Sequence, residues 1–214
     1  MTPPTYPPPL DQLLALGRPE GDWPDYPGQF GLTAEHVPDL IRMMQDSTAW
    51  DEESEDEAWV YANIHAWRAL GQLGDMAAFP PLLEMLVWVD EYDDDWTATE
   101  LPEVFGLLGV GTIPALGRYL GDPKNGMWPR AAACEGLEAV AKRHPEAAPE
   151  CAQLLADALA DYALNDPVLN AMIIIPLADL RQPSTYAVVE EAFKANMVDL
   201  MAMGDWEDFQ VAVG

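Results

Sequence analysis

Catalysis or metal binding in this 214-residue chain would have to come from a narrow set of side chains, and carboxylates dominate that set. There are three histidines (His36, His65, His144) and two cysteines (Cys134, Cys151), and no spacing among them fits a zinc site. Residues 51–57 (Asp-Glu-Glu-Ser-Glu-Asp-Glu) and 90–95 (Asp-Glu-Tyr-Asp-Asp-Asp) crowd acids densely enough to attract a divalent cation. Neither run has the Asp-x-Asp-x-Asp-Gly spacing with a closing glutamate of a calcium loop. Each precedes an apolar-periodic segment, where acids favour the positive end of a helix. A solvated acidic face, or one that meets a basic partner, is therefore the expected reading. The chain has no glycine-rich phosphate loop and no serine nucleophile elbow, and serine itself is scarce. His65 reads as a packed histidine, His144 as a helix-terminal one, and the two cysteines as reduced core residues. No catalytic, cofactor-binding or metal-ligating residue is assigned, and an enzyme is not expected.

The elements that must position the remaining candidates are helices. Residues 1–9 form a proline-rich lead-in and 10–16 a short helix. Residues 17–32 form an irregular segment pinned to the body by Trp23, Tyr26 and Phe30. Thr33 reads as an N-cap, with His36 at the third position, before a stripe of Val37, Leu40, Ile41 and Met44. Beyond residue 57 the periodicity predicts helices over 58–73, 77–89, 97–108, 112–120, 128–143, 146–163, 167–180 and 184–199. Gly, Pro and Asp punctuate them. The stretch at 206–213 is expected to dock as an extended tail.

These helices come in pairs, and the pairs resemble one another. Ala69-Leu-Gly-Gln-Leu-Gly74 followed by Phe79-Pro-Pro-Leu-Leu83 matches Val104-Phe-Gly-Leu-Leu-Gly109 followed by Ile113-Pro-Ala-Leu116. Aligning Leu70, Phe105, Leu137 and Leu177 gives a period in the range of helical solenoids. The units resemble HEAT-like repeats of the phycobilisome-lyase type. The resemblance is carried by Arg68-Ala-Leu-Gly-Gln-Leu-Gly-Asp75 with Pro80-Pro-Leu-Leu83, and by Phe105-Gly-Leu-Leu-Gly109 with Ile113-Pro-Ala-Leu116. It implies an all-α fold, an α-solenoid of about four helix pairs, and commonly a partner-binding scaffold. The expected organisation is a cap at 1–57, the repeat array at 58–200 and a tail at 201–214.

The repeat register yields two sets of candidates. Nine residues before the aligned apolar positions stand Tyr61, Trp96 and Trp128, with Trp59 close by. Together with Asp93, Asp94 and Asp95 they are the candidate partner-binding residues, since aromatic anchors dominate binding energy at interfaces. The plainer reading of the rings is packing between repeats. Two residues before the aligned positions stand Arg68, Glu103 and Glu135, an expected inter-repeat ladder.

Charge restricts the partners. Asp and Glu total 37 against 10 Lys and Arg, a net charge of -27. Residues 1–110 hold 22 acidic against three basic residues, a net of -19. That excludes ordinary nucleic-acid binding and disfavours anionic membranes. A protein partner, itself basic, is expected, without nucleic acid, membrane or cofactor. Five basic residues between Arg118 and Arg143 leave open a homo-oligomer in which this island meets the acidic front of another copy. With no signal peptide or span in view, a cytoplasmic location is expected.

Three functions compete: an interaction scaffold, an accessory or subunit of a phycobilin-lyase-like activity, and an acidic nucleic-acid mimic inhibiting a basic protein. Salt adaptation is an alternative origin for the acidity.

Overall fold

The computed structural model describes residues 4–46 and 57–214, so the acidic run at 51–57 lies outside the described residues except for Glu57. The described residues are all-helical and contain no strand. The chain divides into two compact units, Met1–Leu82 and Leu83–Gly214.

The first unit is organised around one buried helix. A 3-10 turn, Leu10–Ala15, buries Leu10 and Leu13. Asp25 caps α1 (Tyr26–Phe30), accepting from the Gly28 N–H at 3.0 Å. His36 closes the expected capping box, its Nδ1 accepting from the Thr33 N–H at 2.9 Å. In α2 (Val37–Met44), Val37, Leu40, Met43 and Met44 are buried. Every residue from 62 to 71 is buried in α3 (Ala62–Leu73), on which α1, α2 and the 3-10 turn at 10–15 pack.

The irregular segment 17–32 is held by polar contacts as well as rings. The Tyr26 hydroxyl lies 2.6 Å from His65 Nδ1, and His65 Nε2 lies 2.8 Å from the Gly17 carbonyl. A carbonyl only accepts, so Nε2 carries the hydrogen. Gln72 accepts from the Tyr26 N–H and donates to the Pro24 carbonyl, both at 2.8 Å. His65, 4% exposed, is thus a fastening residue of the core.

Residues 77–89, expected as one helix, break into shorter pieces. Pro80 and Pro81 bring no N–H to the carbonyls of Met76 and Ala77, and the chain there closes a 3-10 turn, Met76–Ala78. Then come α4 (Phe79–Glu84), which spans the division, a second 3-10 turn (Met85–Val87) and α5 (Trp88–Glu91).

The second unit continues with α6 (Asp95–Leu108), α7 (Ile113–Gly121), α8 (Met127–Arg143), α9 (Ala148–Leu159), α10 (Pro167–Leu180) and α11 (Tyr186–Lys194). The chain turns by 111° between residues 95–108 and 110–121. Helix α6 packs on α8 and α8 on α10, while α7 packs on α9 and α9 on α11. Across the two rows, α7 meets α8, α8 meets α9 and α9 meets α10. The aligned residues Phe105, Leu137 and Leu177 are all 0% exposed, as is Leu70 in the first unit. Glycine permits the tight α6–α8 contact: a Cβ on Gly136 would stand 2.9 Å from Phe105 Cδ2, and one on Gly106 3.0 Å from Ala139 Cβ.

The C-terminus departs from the expected extended tail. Two helices form, α12 (Leu200–Met203) and α13 (Trp206–Val213). Asp205 accepts from the N–H groups of Glu207 and Asp208, and the Asp208 side chain returns a bond to the Asp205 N–H at 2.9 Å. Phe209 is fully buried, edge-on to Tyr186 at 5.4 Å. The acids of this stretch start a helix in place of the expected extended tail. Among the described residues, no single helix is long and apolar enough to cross a membrane.

Candidate binding cleft

In the second unit, the start of α6 and the first half of α8 enclose a cleft of about 370 Å³. Local sequence explains its walls. Trp128, Ala131, Ala132 and Glu135 recur at i, i+3, i+4 and i+7 along α8, which puts them on one stripe facing the cleft. Asp95, Ala98 and Thr99 line it from α6 at the same kind of spacing, Met172 from α10 and Val89 from α5. The alanines leave the hollow that longer side chains would fill. Trp128 remains 47% exposed beside it.

The acidic corner is built by a helix start. Asp93 adopts a left-handed conformation with φ 52°, turning the chain into α6. Asp94 then caps the helix, accepting from the Trp96 N–H at 3.0 Å and from the Thr97 hydroxyl. Asp94 is only 6% exposed, and burial raises its pKa against the opposing pull of those hydrogen bonds. Desolvation, reinforced by the neighbouring Glu138, raises that of Glu135. None of Asp93, Asp94, Asp95 and Glu135 is paired with a cation among the described residues. Donors are as scarce as acceptors are plentiful, because the Thr99 hydroxyl already donates to the Asp95 carbonyl at 2.7 Å. The indole N–H of Trp128 is the remaining side-chain N–H of the lining.

The cleft thus gathers Trp128, Asp93, Asp94 and Asp95 from the candidate partner-binding set, together with Glu135, expected as a ladder residue. Trp96 is half-buried next to the cap and does not line it. Trp59, 6% exposed, and half-buried Tyr61 belong to the first unit, where Trp59 is part of the core.

Polar links join neighbouring helices, one of them through the expected ladder residue Glu103. Arg68, 4% exposed, stands with its guanidinium 5.0 Å over the Trp23 ring. Glu103 pairs with Arg143 of α8 at 2.7 Å, and Lys142 of α8 reaches Asp179 of α10 at 3.0 Å and Glu138 at 2.8 Å. A buried network that the repeat register did not single out does the deeper bridging. Arg130 donates through Nε to the Leu120 carbonyl at 2.7 Å and through Nη2 to Asn165 Oδ1 at 3.0 Å. Asn165 donates to the Ala158 carbonyl and to Asn170, which in turn donates to the carbonyls of Tyr162 and Met197 at 3.0 and 2.7 Å. These bonds tie the end of α7 and the end of α9 to α8 and α10. The signal in the sequence is an Asn beside a helix start, Asn165-Asp-Pro167.

Three of the five residues in the basic island are therefore committed: Arg130 to the buried network, and Lys142 and Arg143 to ion pairs. Arg118 and Lys124 stay exposed. Among the described residues, no three His, Cys, Asp or Glu side chains are placed to hold a metal ion. Cys134 and Cys151 are buried and free, and burial pushes both thiols up, Cys151 to about 11, which disfavours the thiolate at neutral pH. No family model, curated protein or solved structure matches this chain.

Proposed function

We propose that this chain is a protein–protein interaction scaffold, in which helices of the second unit form a HEAT-like array and the partner docks on the acidic cleft beside Trp128. Two rows of helices, α6–α8–α10 and α7–α9–α11, each packed along itself and on the other, support the array reading. The observation that carries the docking site is a half-exposed tryptophan beside carboxylates that no cation among the described residues neutralises. Aromatic side chains in this setting act as anchors at interfaces, and the acids around it favour a basic partner and fast encounter.

Photo-cross-linking in the cells that make the protein tests this. A benzophenone amino acid at position 128 is expected to give a dominant protein adduct that is absent when the same group replaces exposed Glu150 of α9. Identical adduct patterns at the two positions would remove the proposal.

A further inference from the structure

We infer that the α6–α8 cleft takes the guanidinium group of an arginine presented by the partner protein. This rests on the scaffold reading and names the chemistry of its site. Four carboxylates, Asp93, Asp94, Asp95 and Glu135, line the cleft without a cationic partner among the described residues. Such a lining calls for a ligand that donates hydrogen bonds and carries positive charge.

Backbone chemistry points the same way. Pro102 lies inside α6 and Pro176 inside α10. A helical proline supplies no N–H to the carbonyl four residues earlier. Those carbonyls belong to Ala98 and Met172, and both residues line the cleft. Each of these two lining residues thus has a carbonyl without its usual helical donor.

The choice of arginine over lysine follows from shape and hydration. A guanidinium is planar, offers five N–H donors in a fixed fork and is more weakly hydrated than an ammonium. It can stack on the exposed face of Trp128 while its edge reaches carboxylates on α6 and α8. The floor is made of alanine and methionine side chains, where stripping water from an ammonium costs more than from a guanidinium. The cleft has the volume for one long side chain with accompanying water. The nearby arginines of the chain do not fill this role: Arg130 is bonded to Leu120 and Asn165, and Arg143 to Glu103.

The full-length chain, labelled with nitrogen-15 in its tryptophan indoles, provides the test. The Trp128 resonance is assigned by its loss in Trp128→Leu, and the probe is the blocked peptide acetyl-Gly-Arg-Gly-amide. A saturable shift of that resonance is expected. The citrulline peptide, of the same shape but neutral, should bind about tenfold more weakly, and the lysine peptide several-fold more weakly. Glu135→Gln should weaken arginine binding by about tenfold as well. Positions 128 and 135 are exposed, and far-UV circular dichroism checks that both variants retain the fold. An arginine peptide that leaves the resonance unmoved, or citrulline or lysine peptides that bind equally well, overturns the assignment. A cross-linked partner at position 128 together with an inert arginine peptide would discard the arginine assignment and keep the scaffold. A saturable arginine response with no adduct would do the reverse.

Discussion

Asn170 shows how one buried polar side chain decides the way two helix pairs join. It is 0% exposed, accepts from Asn165 and donates to two carbonyls, one of them beyond the end of α11. Removing it strands those buried groups, and an unmade buried hydrogen bond costs more than a formed one contributes. Asn170→Ala is therefore expected to lower stability by about 2–4 kcal/mol in urea unfolding. A loss within the range of an exposed substitution would mean that the network only decorates the interface. Such residues were hard to read from the sequence, because an asparagine beside a proline signals a turn whether or not its amide is buried. The cleft residues divide in the same way. Trp128 and Asp93–Asp95 stood out by type and register, whereas Ala98, Ala131 and Ala132 shape the hollow through the atoms they lack, which no motif records.

At the scale of elements, the helix pattern was legible where apolar spacing, caps and glycines agreed. The aligned apolar positions did locate the core, and Phe105, Leu137 and Leu177 sit at its centre in the second unit. Legibility failed where a single feature had two meanings. Residues 206–213, which read as an extended tail, form a helix behind a capping box, while 77–89, which reads as one helix, breaks at the 3-10 turns Met76–Ala78 and Met85–Val87. Contact between α6 and α8 depends on Gly136, where a methyl group would press on the Phe105 ring. Gly136→Ala is expected to cost about 1–3 kcal/mol of unfolding free energy, the usual penalty for overpacking. It should also raise amide exchange along both helices. Stabilisation, through better helix propensity alone, would show that the two helices can separate without penalty.

At the scale of the whole molecule, the charge of -27 and the local carboxylate environments act in the same direction. Asp90, Asp94, Glu135 and Glu138 have pKa values raised above their ordinary 3.8 or 4.5, chiefly by desolvation, and Asp179 is lowered by its hydrogen bonds with Glu138 and Lys142. A carboxyl raised in the folded state binds its proton more tightly folded than unfolded. Its contribution is complete below the unfolded value and is lost as pH rises through the folded one. Asp179 contributes in the opposite sense, above its unfolded value. Among the described carboxylates with a shift, four are raised and one lowered, so the melting temperature is expected to rise as pH falls from 7 towards the ordinary carboxylate range, and Glu135→Gln should flatten that rise. A steady fall over the same interval would show that lost ion pairs control stability. The proposed docking face is tested most directly by hydrogen exchange of the full chain, alone and with any protein captured at position 128. Protection concentrated at residues 93–99 and 128–135 is the predicted result; unchanged exchange there, with protection elsewhere on the chain, would contradict it.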